Sequence, residues 1–535
     1  MAVLGLDTRT VPRTFARLAV GLLVDPGCHD GAMPTSGASS PEVRDGLFIG
    51  GRWRPAVDAA NRTIRCPADG VVVGEVAEAS AADVALAVEA ASTAFELGGS
   101  DRGSWRRRPP AERAAVLVAA AGLLDARLED VARLESLDTG KRITESRTDV
   151  SDSISSLSYY VDLGSRVSDR VVDTGHGHIE SRVVAEPVGV CALITPWNYP
   201  LVQAMWKVAP ALMAGNSIVI KPSELTPHTT IELVRVLDEA GVPGGVVNLV
   251  TGTGAEVGDA LVRHPGVDLV SFTGGLATGR TIMAAAAATV KNVALELGGK
   301  NPNIVFADAD LDAAVDLAVA AAFYHSGQVC SAGTRLLVED PIRDEFVDAV
   351  VARAEAIRLG GPFDEAIDAG TLISEAHLAK VERYVSAGVA EGAVLRCGGR
   401  RLDRPGSFYP PTVLDRCTSE MSVVQDESFG PVLTVEVFGD EAEAVALAND
   451  TIYGLAGAVW TGDPDRADRV AAALRHGTVW INDFHPYVPE AEWGGFKQSG
   501  VGRELGPHGL AEYTELKHIW RNTDPRPQYH LGERA

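Results

Sequence analysis

Cysteine is scarce in this sequence and never occurs in closely spaced pairs. The 535 residues contain six cysteines, with no CxxC pair and no cysteine–histidine spacing of the kind that binds zinc. The pattern argues against a disulfide framework and a structural zinc site, and we expect no bound metal. Scattered single cysteines are typical of a reducing compartment, so the sequence predicts a cytoplasmic protein.

Basic residues are also in short supply. Lysine and arginine number 48 against 72 aspartates and glutamates, which gives a formal net charge of −24. Proteins that bind the phosphate backbone of nucleic acids need basic patches, so we expect no nucleic-acid partner. An acidic field favours a cationic substrate, although solubility alone is a sufficient reason for such a charge.

Long apolar runs are missing as well. No run approaches the roughly 20 residues that a helix needs to cross a bilayer, so we expect no membrane partner. Residues 14–23 (TFARLAVGLL) have the composition of a short signal segment, but no small-residue cleavage site follows closely. Residues 27–46 are rich in glycine, serine and proline. We therefore predict that residues 1–46 form a disordered N-terminal extension.

What the sequence does contain is an alternation of strand and helix patterns. The segment LFIGGRW (47–53) predicts a strand, a Gly-Gly turn and a second strand, and residues 80–99 and 110–137 have the apolar spacing of two long amphipathic helices. From residue 186, helical stretches separate most of five short apolar segments: GVCALITP, NSIVIKPS, GVVNLVTG, DLVSFTGG and NVALELGG. This alternation predicts an α/β fold with a parallel sheet covered on both faces, followed by a second α/β stretch over 299–500.

Ligands of such sheets bind beyond the carboxyl ends of the strands. SFTGGLATGR (271–280) places three glycines between a strand and a helix, where the backbone can approach a pyrophosphate. The spacing is not GxGxxG, and an ordinary strand–helix turn explains it equally well; GTGAEVG (252–258) is predicted to be a turn. In IVIKPSE (218–224), Lys221 can donate to a ribose hydroxyl, and Glu224 can accept from a ribose diol while repelling the 2′-phosphate of NADP. This pair favours NAD, although alone it is more typical of solvated surface charge.

Three further residues have the chemistry of an acyl-transfer site. Cys330 stands among small residues in FYHSGQVCSAG (323–333), where it could be a nucleophile or a buried small hydrophobe. Glu296 ends an apolar strand, where burial raises the pKa of a carboxyl toward that of a general base. Asn198 offers an NH2 donor to a developing oxyanion. Each residue has a purely structural alternative, but together they compose a thiol, a base and an oxyanion donor beside a dinucleotide cradle.

With these motifs the sequence resembles the NAD(P)-dependent aldehyde dehydrogenase superfamily from about residue 47 to 521. As in that superfamily, 34 positions separate Glu296 from Cys330. The matching motifs are TPWNYP, KPSE, FTGG, LELGGKNP, GQVCSAG, ESFGPV (427–432) and GGFKQSGVGRELG (494–506).

The resemblance implies the aldehyde dehydrogenase fold and a homodimer or homotetramer. Its implied parts are a Rossmann-like NAD-binding domain (47–164 and 188–298), an α/β catalytic domain (299–505), and a small β oligomerisation arm (165–187 and 506–525).

The resemblance also implies a role for each matched residue. Cys330 would be the nucleophile, Glu296 the base for water, and Asn198 with the Cys330 backbone N–H the oxyanion hole. A base for water favours hydrolysis over transfer to coenzyme A. Gly275 departs from many relatives, which have a serine there, so a side-chain contact to pyrophosphate is lost. The implied contacts to NAD, with NADP less favoured, are Thr195, Pro196, Trp197, Lys221, Ser223, Glu224, Gly254, Thr273, Gly274, Gly275, Gly279, Leu297, Glu427 and Phe429.

Four aromatic residues predict which aldehyde is the substrate. Core packing explains any one of them, but together they match the cage positions of the betaine aldehyde dehydrogenases of this superfamily: Tyr199, Trp206, Tyr324 and Trp493. Because a box of π faces attracts a quaternary ammonium, we predict that betaine aldehyde is oxidised to glycine betaine. The alternatives are an ω-aminoaldehyde, a broad range of aldehydes, or an anionic semialdehyde, which would need an arginine in the pocket. A catalytically silent binding or structural relative is the non-enzymatic alternative.

Overall fold

The computed structural model of this chain describes residues 43–96 and 104–525. Within them, the larger of two compact units comprises 43–166, apart from 97–103, and 185–515, and the smaller comprises 167–184 and 516–525. Most of the predicted N-terminal extension, residues 1–42, lies outside the described residues. The prediction is wrong for the end of that extension, because Val43–Asp45 form a strand paired in parallel with Glu75 and Val76.

The strands of the two large sheets are short and rich in valine, isoleucine and leucine. In chain order, the described strands are β1 (Val43–Asp45), β2 (Leu47–Ile49), β3 (Arg52–Arg54), β4 (Asn61–Arg65), β5 (Val72–Ala77), β6 (Arg170–Val171), β7 (Ile179–Pro187), β8 (Val190–Ile194), β9 (Ser217–Lys221), β10 (Val247–Leu249), β11 (Leu269–Gly274), β12 (Asn292–Leu297), β13 (Pro302–Val305), β14 (Arg335–Glu339), β15 (Val394–Cys397), β16 (Thr412–Asp415), β17 (Val432–Phe438), β18 (Ala456–Trp460), β19 (Thr478–Ile481), β20 (Gly500–Val501) and β21 (Thr514–Asn522).

Alanine-rich and amphipathic segments form the helices between them. In chain order, the described α-helices are α1 (Ala81–Glu96), α2 (Pro110–Ala126), α3 (Leu128–Thr139), α4 (Ile143–Ser165), α5 (Pro200–Ala214), α6 (His228–Glu239), α7 (Asp259–Arg263), α8 (Leu276–Ala286), α9 (Leu311–Phe323), α10 (Arg343–Glu355), α11 (Glu375–Glu391), α12 (Ser422–Gln425), α13 (Glu441–Asn449), α14 (Pro464–Ala473) and α15 (Gly506–Ala511). None of the helices in the described part of the chain is long and apolar enough to cross a membrane.

An eight-stranded sheet contains all five strands predicted from residue 186 onward. Its order is β20-β12-β11-β8-β9-β10-β2-β3, and the five central strands from β12 to β10 are parallel. Every residue of β8 and β9 is buried, so both faces of the sheet are covered there. The parallel sheet is therefore confirmed. Antiparallel strands β2, β3 and β20 are added at its edges, and β20 comes from a segment late in the chain.

A seven-stranded sheet forms the second α/β stretch, as predicted. Its order is β15-β16-β17-β14-β13-β18-β19, and only the edge strand β15 is antiparallel to its neighbour. Residues of α9 and α10 pack on this sheet in one apolar core. Two three-stranded sheets have the orders β1-β5-β4 and β21-β7-β6.

Three local predictions are wrong. Residues 110–137 form two helices, α2 and α3, because the chain leaves helical geometry at Arg127 and the acidic residues of LEDV begin a new helix. Residues 506–511 form α15, with proline in its first turn, so the predicted strand begins only at Thr514. GTGAEVG contains a helical turn rather than an open turn, since the Thr253 side chain accepts from the Glu256 N–H and caps it.

Candidate active site

The carboxyl ends of four neighbouring parallel strands lie at one edge of the eight-stranded sheet. β8 leads into the turn that carries Asn198, β9 ends at Lys221, β11 ends at Gly274, and β12 carries Glu296. The register places Glu296 directly opposite Thr273. The structure therefore brings to one edge the residues that the sequence analysis singled out.

Cys330 lines two cavities. The larger has a volume of about 300 Å³, and we call it the aromatic cavity because Tyr199, Trp206, Tyr324 and Tyr487 line it. The smaller has a volume of about 230 Å³ and lies at the edge of the eight-stranded sheet, so we call it the strand-edge cavity. It is lined by two groups, those predicted to act in catalysis and those predicted to bind a dinucleotide: Asn198, Glu296, Cys330, Pro196, Trp197, Thr273, Gly274, Gly275, Leu297, Glu427 and Phe429.

The segment before Cys330 has an unusual backbone conformation. His325, Ser326 and Gly327 have φ angles of 47°, 53° and 70°, in the left-handed region that residues other than glycine rarely adopt. A Cβ at position 327 would lie 2.3 Å from the carbonyl oxygen of Gly430. Glycine is therefore required at 327 by both its conformation and its close approach to a neighbouring loop.

Gln328 fixes this bend through both ends of its amide. Its Nε2 donates to the carbonyls of His325 and Thr371 at 3.2 and 3.1 Å, and its Oε1 accepts from the Ile373 N–H at 2.8 Å. On the other side, Asn301 Nδ2 donates to the Cys330 carbonyl at 3.0 Å. The Gly-Gln pair before the thiol thus forms a rigid support for it, which is a condition for a well-placed nucleophile.

The thiol of Cys330 is held in its neutral form. Burial, and next the carboxylates of Glu296 and Glu427, raise its pKa, whereas the Ser331 backbone N–H lowers it. A thiolate at this position therefore requires that its proton be taken up or that a positive charge be brought near.

Glu296 has the environment of a general base. It is 5% exposed, and neither carboxylate oxygen has a hydrogen-bond partner among the described residues. Burial, and next the neighbouring Glu504, raise its pKa well above the ordinary value, although Lys207 acts in the opposite direction. The Lys207 ammonium pairs with the Glu504 carboxylate and donates a hydrogen bond to Thr273 Oγ1 at 2.7 Å. The two charges that act on the pKa of Glu296 are therefore held in place.

Asn198 is buried beside the nucleophile. Its Nδ2 donates to the Gln328 carbonyl at 2.8 Å, two residues before Cys330. An amide nitrogen has two N–H groups, so the second can donate to an oxygen bound at Cys330.

The predicted aromatic residues are divided between the two cavities. Tyr199, Trp206 and Tyr324 line the aromatic cavity, whereas Trp493 lines the strand-edge cavity, with its ring centroid 6.5 Å from that of Trp206. Tyr487 was missed, and its ring lies 5.0 Å from that of Trp493. The signal was present in the aromatic stretch NDFHPYVPEAEW (482–493), which also contributes Phe484 and His485 to the aromatic cavity.

Two carboxylates that the sequence analysis missed also line the aromatic cavity. Asp149 and Asp152 lie one turn apart on α4. Asp149 is buried and pairs with Lys141 at 2.5 Å, and the Lys141 ammonium lies 4.2 Å from the centre of the Tyr199 ring. Asp152 is exposed at the cavity, and its pKa is raised to about 6 by partial burial and then by Asp149.

Glu427 is anchored in the strand-edge cavity. Its Oε1 accepts from the Gly299 N–H at 3.1 Å, and burial raises the pKa of its carboxyl to about 7. A Cβ at Gly298 would lie 2.0 Å from Glu427 Oε2, so the Gly-Gly turn is required for this approach. His377 and Lys380, which were not predicted from the sequence, line the same cavity.

Lys221 and Glu224 lie apart from the strand-edge cavity. Lys221 Nζ is 3.8 Å from Glu224 Oε2 and donates to the Pro222 carbonyl at 2.7 Å. Burial lowers the pKa of Lys221 to about 8. Glu224 lines a third cavity, of about 640 Å³, together with Arg62.

Lys221 and four other predicted contacts line none of these three cavities. Thr195 is buried, and Ser223 Oγ accepts from the Leu225 N–H at 3.3 Å. Gly254 begins the helical turn before α7. Gly279 lies on α8 against the side chain of Leu297, where a Cβ would come within 2.6 Å.

The chain belongs to the aldehyde dehydrogenase family, whose model matches residues 53–519. It is 53% identical over 483 residues to the betaine aldehyde dehydrogenase of Bacillus subtilis, covering 90% of this chain and 98% of that protein. It is 43% identical over 490 residues to aminoaldehyde dehydrogenase 2 of Zea mays, covering 90% and 96%. Among solved structures it is similar to the betaine aldehyde dehydrogenase of Staphylococcus aureus in complex with NAD+, with 47% identity, a TM-score of 0.89, and 92% and 97% of the two chains covered.

These matches confirm the family resemblance and the aldehyde dehydrogenase fold. The protein is therefore an enzyme of the aldehyde dehydrogenase class, and the silent-relative alternative is set aside.

Proposed function

We propose that this protein oxidises betaine aldehyde to glycine betaine, with NAD+ as the oxidant. The observation that carries the proposal is that one thiol, Cys330, lines both the aromatic cavity and the strand-edge cavity. The betaine aldehyde dehydrogenases of Bacillus subtilis and Staphylococcus aureus, the latter in complex with NAD+, support this choice.

The residues at the sheet edge fit a dinucleotide. A Cβ at Gly275 would meet no atom within 4 Å, so the backbone before the N-terminus of α8 is open to the approach of a pyrophosphate. Glu427 and the Lys221–Glu224 pair offer the oxygen and nitrogen groups that ribose hydroxyls bind. In this proposal 47–164 and 188–298 are the dinucleotide-binding domain and 299–505 the catalytic domain. The bound dinucleotide supplies the acceptor for the hydride.

Cys330 begins the reaction. Its proton passes first to solvent water, and then the sulfur attacks the aldehyde carbon and forms a tetrahedral thiohemiacetal. The oxyanion of that adduct accepts hydrogen bonds from Asn198 Nδ2 and the Cys330 backbone N–H, which stabilises charge that is absent from the free aldehyde. Loss of hydride from the same carbon leaves a thioester on Cys330.

Glu296 completes the reaction. A carboxylate whose pKa is raised by burial is a stronger base than one in water, and its oxygens have no competing partner among the described residues. Glu296 takes a proton from water as the water oxygen attacks the thioester, and the acid leaves with release of the Cys330 sulfur.

The lining of the aromatic cavity supports a cationic aldehyde. Trp206 and Tyr487 line the cavity with aromatic rings, which can bind a cation, and Asp152 adds negative charge. No lysine or arginine is among the described residues that line this cavity, which argues against an anionic semialdehyde.

The test compares betaine aldehyde with 3,3-dimethylbutanal, in which a carbon replaces the ammonium nitrogen without a change of shape. We expect kcat/KM to favour the cation by about tenfold, which corresponds to a cation–π contribution of about 1–2 kcal/mol. Trp206→Leu should reduce this preference. Equal kcat/KM values for the two aldehydes would contradict the choice of substrate but not the enzyme class.

An ω-aminoaldehyde is the second candidate, because two carboxylates line the cavity and a primary ammonium can donate hydrogen bonds to them. The similarity to the Zea mays aminoaldehyde dehydrogenase supports it. A kcat/KM for 3-aminopropanal above that for betaine aldehyde would favour this candidate.

We also propose a cytoplasmic homo-oligomer, dimer or tetramer. The free state of all five cysteines described in the structure supports a reducing compartment. Leu516 and Trp520 are exposed on β21, which supports association through the segments 165–187 and 506–525. Light scattering after gel filtration measures the oligomeric state, and a monomer would contradict this proposal.

A further inference from the structure

Phe429 has a backbone conformation that is rare for a large side chain. Its φ is 56°, in the left-handed region where an L-residue is strained. Its ring and the carboxylate of Glu427 both line the strand-edge cavity. A strained residue at such a place persists only if the surrounding groups fix it.

His377 supplies one such group. Its Nε2 lies 2.7 Å from the carbonyl oxygen of Phe429, and since a carbonyl only accepts, Nε2 carries the proton. Burial lowers the pKa of His377 to about 4, so the imidazole is neutral near pH 7. Loss of this donor would leave the Phe429 carbonyl without that bond and the strained backbone free to relax.

The position of His377 is itself fixed. His377 lies in the first turn of α11, and its backbone N–H donates to the capping residue Ser374 at 3.2 Å. Trp197 packs edge-on against both rings, with centroid distances of 5.3 Å to His377 and 5.1 Å to Phe429. The three rings therefore form one wall of the strand-edge cavity.

We propose that His377 is a positioning residue for the nicotinamide end of the dinucleotide, acting through the Phe429 carbonyl. It holds the segment from Glu427 to Phe429 so that a carboxylate and an aromatic face point into the cavity beside Cys330. The inference deepens the proposed function and rests on it.

The test uses two substitutions of one residue. His377→Leu removes the N–H donor, whereas His377→Gln retains one. We expect His377→Leu to lower kcat for aldehyde oxidation and the affinity for NAD+, measured by tryptophan fluorescence, by about tenfold each. His377→Gln should recover most of both, and KM for the aldehyde should change little.

Ester hydrolysis separates a positioning role from a general structural one. Hydrolysis of p-nitrophenyl acetate needs a thiol, a base and water but no dinucleotide, so His377→Leu should change it by less than about twofold. His476→Leu is the matched control, because His476 is also buried and neither of its ring nitrogens has a hydrogen-bond partner among the described residues. His476→Leu should leave kcat for aldehyde oxidation, the affinity for NAD+ and the rate of ester hydrolysis unchanged.

Three results would overturn the inference: equal losses of oxidation and ester hydrolysis in His377→Leu, no loss of either, or a His377→Gln variant no better than His377→Leu. Failure of the unmodified protein to reduce NAD+ with any aldehyde would instead overturn the proposed function. NAD+ affinities of the variants would still test His377 in that case.

Discussion

Replacement of Glu296 by glutamine tests the assignment of the base most directly. Glutamine keeps the shape of the side chain, so the packing around β12 is preserved, but it cannot accept a proton. In the proposed mechanism, attack by Cys330 and loss of hydride precede the step that needs the base. We therefore expect Glu296→Gln to form the thioester and to hydrolyse it slowly.

The size of the effect can be estimated from the environment of Glu296. A positioned general base contributes about 10²–10⁴-fold, and a carboxyl that is 5% exposed with its pKa raised by burial belongs toward the middle of that range. We expect thioester hydrolysis to slow by about 10³-fold, or about 4 kcal/mol in the barrier. The raised pKa of Glu296 also sets the pH dependence of the reaction. Because the fraction of Glu296 in the carboxylate form increases as the pH rises, kcat of the unmodified protein should rise with pH. This rise of kcat with pH should be absent in Glu296→Gln.

Stopped-flow absorbance of NADH measures both phases. Glu296→Gln should give a rapid burst of about one NADH per active site, since each thioester forms once before hydrolysis, followed by slow turnover. Glu504→Gln is the matched variant, because it keeps the base but removes the carboxylate that, after burial, raises the pKa of Glu296. In this variant the rise of kcat with pH should therefore occur at lower pH. A Glu296→Gln variant with no burst, or with unchanged turnover, would refute the assignment.

Three other variants test separate parts of the structure. Asp152→Asn should lower the kcat/KM preference for betaine aldehyde over 3,3-dimethylbutanal about threefold. In the unmodified protein the same preference should fall as the pH drops through about 6, the raised pKa of Asp152, because the protonated carboxyl no longer attracts a cation. Gly275→Ser should tighten NAD+ binding about threefold in a fluorescence titration, since the open space at Gly275 admits a hydroxyl that can donate to pyrophosphate. Arg335→Met should lower the free energy of unfolding, measured in urea, by roughly 3–5 kcal/mol, because it leaves the buried carboxylate of Glu436, 2.5 Å from Arg335 Nε, without its cation. If Arg335→Met/Glu436→Leu were less stable than the single variant, that reason would be wrong.

The site residues at the strand ends could be predicted because the signal lies in the neighbouring sequence. Lys221 and Glu296 each lie at the end of an uninterrupted apolar segment, and such segments become buried parallel strands when helices separate them. The carboxyl ends of parallel strands then share one edge, so the grouping follows without knowledge of the tertiary structure. Cys330 has no such signal, since it lies in a loop beyond α9, and only the chemistry of its side chain and the family resemblance linked it to Glu296.

The lining of the aromatic cavity could not be predicted in the same way. Tyr199 and Trp206 are seven positions apart, which is about two helical turns, so their spacing predicts a common face, and both line this cavity. Trp493 follows Tyr487 by only six positions, yet it lines the strand-edge cavity, because loop geometry rather than a helical period decides where each ring points. His377 was hidden for a similar reason: at the start of an amphipathic helix, only its contact with a strained carbonyl distinguishes it.

The acidic residues of α4 bear on the choice between the two cationic aldehydes. A primary ammonium gains most from carboxylates, to which it donates hydrogen bonds, whereas a quaternary ammonium has no N–H and gains most from π faces. Asp149 is already paired with Lys141 at 2.5 Å, which leaves Asp152, at the exposed side of the cavity, as the carboxylate free to meet a substrate. One exposed carboxylate is a weak partner for a primary ammonium. The Tyr199 ring already has the Lys141 ammonium over it, but no such cation lies over Trp206, Tyr324 or Tyr487 among the described residues. The Lys141–Asp149 pair therefore favours betaine aldehyde. Loss of the Lys141 charge alone would free Asp149, so a Lys141 variant should shift the ratio of kcat/KM values toward the aminoaldehyde without affecting Cys330 or Glu296.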